Sequence, residues 1–200
     1  MTRTFLIILT IFCSTAAMSQ DLTFSQRVNE LFFGVDVSSQ SSSLLDSFLT
    51  VPQLQHRDNK VRQWNLNVAM QMKSDNAWSS RHEFVFTQSP LPHMKIEKGT
   101  IEVALGETDS TKKLLDLGWR LQFSDKATAN QYFEKLKQLF GDLATHKKFE
   151  HEKGMGDIAQ FATRNPIDTG VRDITLFLGK SPLTKKYEIA LAFGTESIDE

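Results

Sequence analysis

The chain has almost no cysteine. Its single cysteine, Cys13, lies in an apolar segment near the start, so the rest of the chain can form no disulfide, thiolate metal site or cysteine nucleophile. It also lacks an Asn-x-Ser/Thr acceptor for N-glycosylation. These absences exclude a small domain that is stabilised mainly by disulfide bonds, so a hydrophobic core must stabilise the fold.

Clustered charge and long apolar runs are also missing. The 23 basic and 24 acidic residues alternate through most segments and give a formal net charge of −1. Nucleic acids and anionic lipids both require clustered Lys and Arg, so we expect neither as the main partner. After the first segment no apolar run approaches membrane-spanning length, so we expect no integral membrane segment.

Residues 1–19 have the pattern of a cleaved secretory signal peptide. Arg3 supplies a positive charge, residues 5–13 are apolar, and Ala17 and Ser19 are small residues at the positions a signal peptidase reads. We therefore expect a soluble periplasmic or secreted protein. For such a protein, the missing cysteines and glycosylation sites favour a bacterial source slightly.

Alternating apolar and polar residues predict strands with one buried and one wet face, as in antiparallel sheets. The alternation is longest over residues 64–72, 115–123 and 187–193. Shorter candidate strands cover residues 82–88, 100–106, 157–163 and 171–178.

Helical periodicity appears three times. The longest helix is predicted between an N-cap at Ser124 and a stop at Gly141. A weaker helix covers residues 25–33 with Gly34 as its stop, and a short one covers residues 43–49.

Similar short segments recur in the same order in the two halves. They are residues 22–25 with 121–124, 89–91 with 181–183, and 101–105 with 187–191. We therefore predict an α+β fold in which a (β)-α-β-β-β unit occurs twice, over residues 20–109 and 110–200, as one compact unit. The prediction includes an antiparallel sheet with helices packed on one face.

No motif predicts a catalytic, cofactor-binding or metal-binding residue. The segment 81–83 (Arg-His-Glu) holds a candidate general base, although a surface salt-bridge group is its more ordinary interpretation. His146 and His151 are spaced so that their side chains diverge, and a solvated charged loop is predicted around them. The segment 179–181 (Gly-Lys-Ser) lacks the earlier glycine of a phosphate-binding loop and predicts a hairpin turn.

Polar side chains on the wet strand faces are the remaining functional candidates, together with a methionine in a glycine-flanked loop. Asparagine is disfavoured in strands, so two of them in one predicted strand suit a surface that hydrogen-bonds a partner, although an ordinary solvated strand face would be polar as well. The candidate partner surface consists of Asn65, Asn67, Gln71, Arg120, Gln122 and Met155.

These observations predict an exported, non-enzymatic binding protein without a cofactor, whose partner is a protein or a glycan. Two alternatives remain open. One is an enzyme with a scattered active site. The other is a carrier of a small apolar ligand between the long helix and the sheet, with a pocket lined by Trp119, Phe123, Phe133, Phe140 and Phe193.

Overall fold

The computed structural model describes residues 22–38, 42–64, 66–74, 76–154, 156–164 and 170–194, with the backbone alone at 58–64, 66 and 194. The predicted signal peptide lies outside this range. The helices are α1 (Phe24–Leu31), α2 (Leu44–Leu49), α3 (Leu66–Met72) and α4 (Lys126–Gly141). The strands are β1 (Gln55–Trp64), β2 (Trp78–Phe86), β3 (Lys98–Glu107), β4 (Lys112–Phe123), β5 (His146–Glu152), β6 (Gly156–Ala162), β7 (Asp173–Lys180) and β8 (Tyr187–Gly194).

All eight strands form one antiparallel sheet in the order β1-β2-β3-β4-β8-β7-β6-β5. The strands β1–β4 and β5–β8 are two consecutive meanders, and their last strands pair in the middle, with Trp119 opposite Leu191. The predicted α+β class with an antiparallel sheet is confirmed. The arrangement differs from the predicted unit because four strands, not three, follow α4.

The two Ser-Pro-Leu segments do not occupy matching places in these meanders. Ser89 follows β2, the second strand of the first meander, whereas Ser181 follows β7, the third strand of the second. The segment at Ser181 does form the predicted hairpin turn, since its N–H donates to the carbonyl of Lys186 at 2.9 Å.

One face of the sheet, here called the inner face, carries the main core. Phe84, Ile101, Trp119 and Leu121 project from it, and each is at most 2% exposed. The helices α1 and α4 cover this face and belong to the same core. Full burial stabilises a side chain of this size by about 1.5–3 kcal/mol, so this layer supplies most of the driving force for folding.

The predicted strands other than 64–72 are confirmed. In β4 the inner-face residues Trp119, Leu121 and Phe123 are buried, while Arg120 between them is exposed and Gln122 is half-buried. The shorter candidates correspond to β2, β3, β6 and β7, and the pattern at 187–193 corresponds to β8.

The predicted helices exist, with small differences at their ends. The N-cap of α4 is Asp125 and not Ser124, because its carboxylate accepts a hydrogen bond from the Thr128 N–H at 2.7 Å. The chain leaves α1 through Gly34, whose φ of +83° is a left-handed conformation suited to glycine.

The predicted strand over 64–72 is wrong. Only Trp64 belongs to a strand, the end of β1, and residues 66–72 form α3. Val68 and Ala69 of this helix are buried, whereas Met70 is 66% exposed. Leu, Ala, Met and Gln are good helix formers, and here their propensity outweighs the accidental alternation.

The helix α3 packs on the opposite face of the sheet, here called the outer face, and this corrects the expectation that helices cover one face only. Gly106 follows the inner-face residue Leu105 and therefore faces outward. A Cβ built on Gly106 would meet the sulfur of Met72 at 2.9 Å and a methyl of Leu115 at 3.1 Å. The outer face is thus partly covered over β2 and β3.

The edge strands β1 and β5 were not predicted. Residues 146–152 form β5 and not the predicted loop, and all seven of them are exposed. A fully exposed strand has no buried side chains and so produces no apolar alternation. Its charges, for example Lys148 and Glu150, discourage pairing with another chain.

Candidate functional site

The structure separates the residues of the predicted partner surface. Asn65 and Met155 lie outside the described residues. Asn67 and Gln71 are exposed on α3. They therefore do not share a strand face with Arg120 and Gln122, contrary to the expectation from the sequence. Only Arg120 and Gln122 are brought together, on the outer face of β4.

Arg120 and Gln122 converge on one carboxylate of the neighbouring strand. The Gln122 amide donates to Glu188 at 3.0 Å, and the Arg120 guanidinium lies 3.8 Å from the same carboxylate. The Thr184 hydroxyl donates to Glu188 as well, at 3.1 Å. These four residues form a polar cluster at the middle of the sheet.

Beside Arg120 of this cluster begins a row of apolar residues that consists of Ala190, Phe177 and Ile158. Arg120 pairs with Ala190, Ala190 with Phe177, and Phe177 with Ile158, so the four lie side by side across β4, β8, β7 and β6. Phe177 and Ile158 are only partly buried, although both are large apolar residues. Among the described helices, α1, α2 and α4 contribute to the core on the inner face, and α3 contacts β2 and β3.

Sequence reasoning missed this row because it looked for polar residues on wet strand faces. A signal was present in β7, where Phe177 stands between Leu176 and Leu178. A continuous apolar run in a strand means that both of its faces are apolar. The outer face of β4, β8, β7 and β6, with its polar cluster and apolar row, is here called the outer patch.

His82, the candidate general base, is not the surface salt-bridge group that was predicted. Its side chain is 8% exposed and lies on the inner face. The flanking residues point to the outer face, where Arg81 pairs with Glu102 at 2.8 Å and Glu83 with Lys98 at 3.3 Å.

A buried polar network surrounds His82. Its Nδ1 lies 3.2 Å from Nε2 of His56, and its Nε2 lies 3.5 Å from the Ser80 hydroxyl. The Ser80 hydroxyl donates a hydrogen bond to Glu107. The serine proton is thus directed to the carboxylate and not to the histidine, the reverse of a nucleophilic triad.

Burial also argues against catalysis in this network. Ser80 is only 5% exposed, so a substrate would not reach its oxygen. The network joins side chains of β1, β2 and β3 and satisfies buried polar groups, which is a structural role.

His146 and His151 do not approach each other. They stand five residues apart in β5, on opposite faces, and His151 hydrogen-bonds Asp157 at 2.7 Å. Within the described ranges, no group of three or more His, Cys, Asp or Glu side chains is arranged to hold a metal ion. Nor is any helix within those ranges long and apolar enough to cross a membrane.

Most of the proposed carrier lining is packed into the core. Trp119, Phe123, Phe133 and Phe140 are each at most 3% exposed. Their rings contact other core side chains, as Phe123 does with Tyr132 at a centroid distance of 5.4 Å. Only Phe193 is partly exposed, and it lines a small pocket beside Leu117.

Searches of protein-family models, curated proteins and solved structures found no match to this chain. The case for the outer patch therefore rests on its geometry alone.

Proposed function

We propose that this chain is an exported, non-enzymatic binding protein that uses the outer patch to bind a protein partner. The observation that carries the proposal is the row from Arg120 through Ala190 and Phe177 to Ile158. An apolar strip on a face that no described helix covers over these strands is the kind of surface that marks an interaction site.

The chemistry of the patch fits a protein surface. Its apolar centre, Phe177 and Ile158, is bordered by the cluster of Arg120, Gln122 and Glu188. Protein interfaces combine an apolar core with a polar rim and are enriched in aromatic residues and Arg.

Export is part of the proposal, and the pattern of residues 1–19 supports it.

A duplication is proposed as well, in a revised form in which the repeated unit is a helix followed by a four-stranded meander. The antiparallel pairing of β4 with β8 supports a twofold relation between the halves, as does the likeness of 22–25 to 121–124. Homologous sequences test this, since some should show a closer match between the halves.

Site-specific photo-cross-linking in the native host tests the binding proposal. A photoreactive residue replaces Ala192, which is exposed on the outer face, or Gln138, which is exposed on α4 on the other side of the sheet. We expect one discrete protein adduct from position 192 and none from position 138. No adduct at 192, or the same adduct from both positions, would overturn the proposal. An adduct with a glycan would mean that the partner is a glycan and not a protein.

A further inference from the structure

The helix layer contains a cleft that the proposed function does not use, here called the helix cleft. It lies between α1, α4 and the loop that joins β2 to β3, and its volume is about 390 Å³. This size falls within the range of roughly 300–1,000 Å³ that is usual for small-molecule sites.

The walls of the helix cleft are largely apolar. Pro90, Leu91 and Pro92 form one wall and Leu139 of α4 contributes to the opposite one. Leu91 is 8% exposed and Leu139 is half-buried, so both present fixed apolar surface to the cleft. Such walls favour a hydrocarbon group over a sugar or nucleotide.

The cleft is preformed because its loop is fastened to the helix that faces it. The Ser89 hydroxyl lies 2.7 Å from the Tyr132 hydroxyl, and Tyr132 is fully buried on α4. The same serine oxygen accepts a hydrogen bond from the Leu91 N–H at 3.1 Å. A ligand would therefore bind without first having to order the loop.

The charges at the rim leave one cation available. Arg27 and Glu30 both line the cleft, but their 2.8 Å ion pair neutralises them. Lys135 is exposed at the rim, and no ion pair joins it to a carboxylate in the described ranges. The nearest acidic residue along α4, Glu134, pairs with Lys137 at 2.8 Å.

We propose that the helix cleft binds a free medium-chain carboxylate, a small amphiphilic anion. The hydrocarbon chain lies against Pro90, Leu91 and Leu139, and the carboxylate accepts a charge-assisted hydrogen bond from the Lys135 ammonium. The cleft volume suits one short chain and not a two-chain lipid.

Titration with decanoate below its micelle concentration tests this proposal, with the methyl NMR signals of Leu91 and Leu139 as reporters. We expect saturable one-to-one binding that shifts both signals. Octanoate should bind about 15-fold more weakly, because each buried methylene contributes about fourfold in affinity. Nonyltrimethylammonium, with the same alkyl tail and the opposite charge, should bind at least about tenfold more weakly than decanoate.

Two variants of α4 provide a matched comparison. Lys135→Glu should lower decanoate affinity at least about tenfold, whereas Lys126→Glu, an exposed change outside the cleft, should leave it unchanged. Leu139→Trp should block binding by filling the cleft.

Any of the following results would overturn the proposal: no decanoate binding, equal binding of the cationic amphiphile, or full affinity in Lys135→Glu. Co-sedimentation with phosphatidylglycerol vesicles that depends on Lys135 would also overturn it, in favour of a membrane surface. The helix cleft and the outer patch lie on opposite faces of the sheet, so failure of either proposal leaves the other untouched.

Discussion

The indole N–H of Trp119 donates a hydrogen bond to the carbonyl of Leu31 at 3.0 Å, deep inside the protein. This bond joins the centre of β4 to the last residue of α1. It satisfies a polar atom of a fully buried ring and one of the carbonyls that a helix end leaves without a partner. The contact therefore fixes where α1 lies on the inner face.

Replacing Trp119 should be the more damaging of two changes in the same strand. Trp119→Ala leaves a cavity and an unsatisfied carbonyl, so we expect a loss of about 3–5 kcal/mol in the free energy of unfolding. Gln122→Ala removes one hydrogen bond to Glu188 at a half-buried position and should cost only about 0.5–1.5 kcal/mol. Urea unfolding of both variants measures the difference. A larger loss in Gln122→Ala than in Trp119→Ala would mean that Gln122, and not Trp119, lies on the buried face of β4.

Tyr132 should make stability fall in alkaline solution. Burial raises the pKa of its hydroxyl to about 12, while hydrogen bonds from Ser89 and the Leu91 backbone act in the opposite direction. The unfolded chain has a tyrosine pKa of about 10, so the stabilisation is complete below pH 10 and is lost as the pH rises towards 12. The loss should amount to about 2–3 kcal/mol at most.

The variant Tyr132→Phe isolates this titration from that of the other alkaline groups. Wild type should exceed it in stability by about 1 kcal/mol near pH 8, because of the bond to Ser89. That advantage should shrink and reverse above pH 10. A constant difference from pH 8 to pH 11.5 would mean that Tyr132 is not buried as described.

Two glycines of neighbouring strands should respond oppositely to alanine. A Cβ added to Gly99 would lie only 2.0 Å from Cε2 of the Phe86 ring, so Gly99→Ala should destabilise by about 1–3 kcal/mol or more. At Gly118 the nearest atom is the Cβ of Glu102 at 3.7 Å, so Gly118→Ala should be neutral or stabilise by up to about 1 kcal/mol. Thermal unfolding compares them directly, and equal effects would contradict the strand register.

The sequence predicts those parts of the fold in which burial follows a simple period. β4 and β8 are such parts, because their fully buried residues all lie on the inner face. It fails at α3, where the spacing of Val68 and Met72 suits a strand and a helix equally. It also fails at β5, because edge-strand pairing leaves no trace in side-chain polarity.

The candidate site was only partly predictable for a related reason. Arg120 and Gln122 are visible as polar residues of a clear strand, but their meeting with Glu188 depends on the pairing of β4 with β8. Phe177 and Ile158 become neighbours only through the register of β6 with β7. Contacts between strands distant in sequence cannot be read from local periodicity.

Export makes a simple prediction about mass. The exported protein should begin near Gln20, because the residues before it have the pattern of a cleaved signal peptide. Intact-mass spectrometry of protein recovered from outside the cytoplasm measures this. A mass that retains residues 1–19, or that includes a lipid on Cys13, would contradict the prediction.

The most direct test of the central claim is the affinity of the Phe177→Ser variant for the purified protein that cross-links at position 192, measured by calorimetry. Phe177 lies at the centre of the outer patch, so we predict a loss of at least about 30-fold, as for an interface hot spot. Gln138→Ser serves as the control, and urea unfolding checks that both variants are folded under the conditions of the measurement. Wild-type affinity in a folded Phe177→Ser variant would contradict the account.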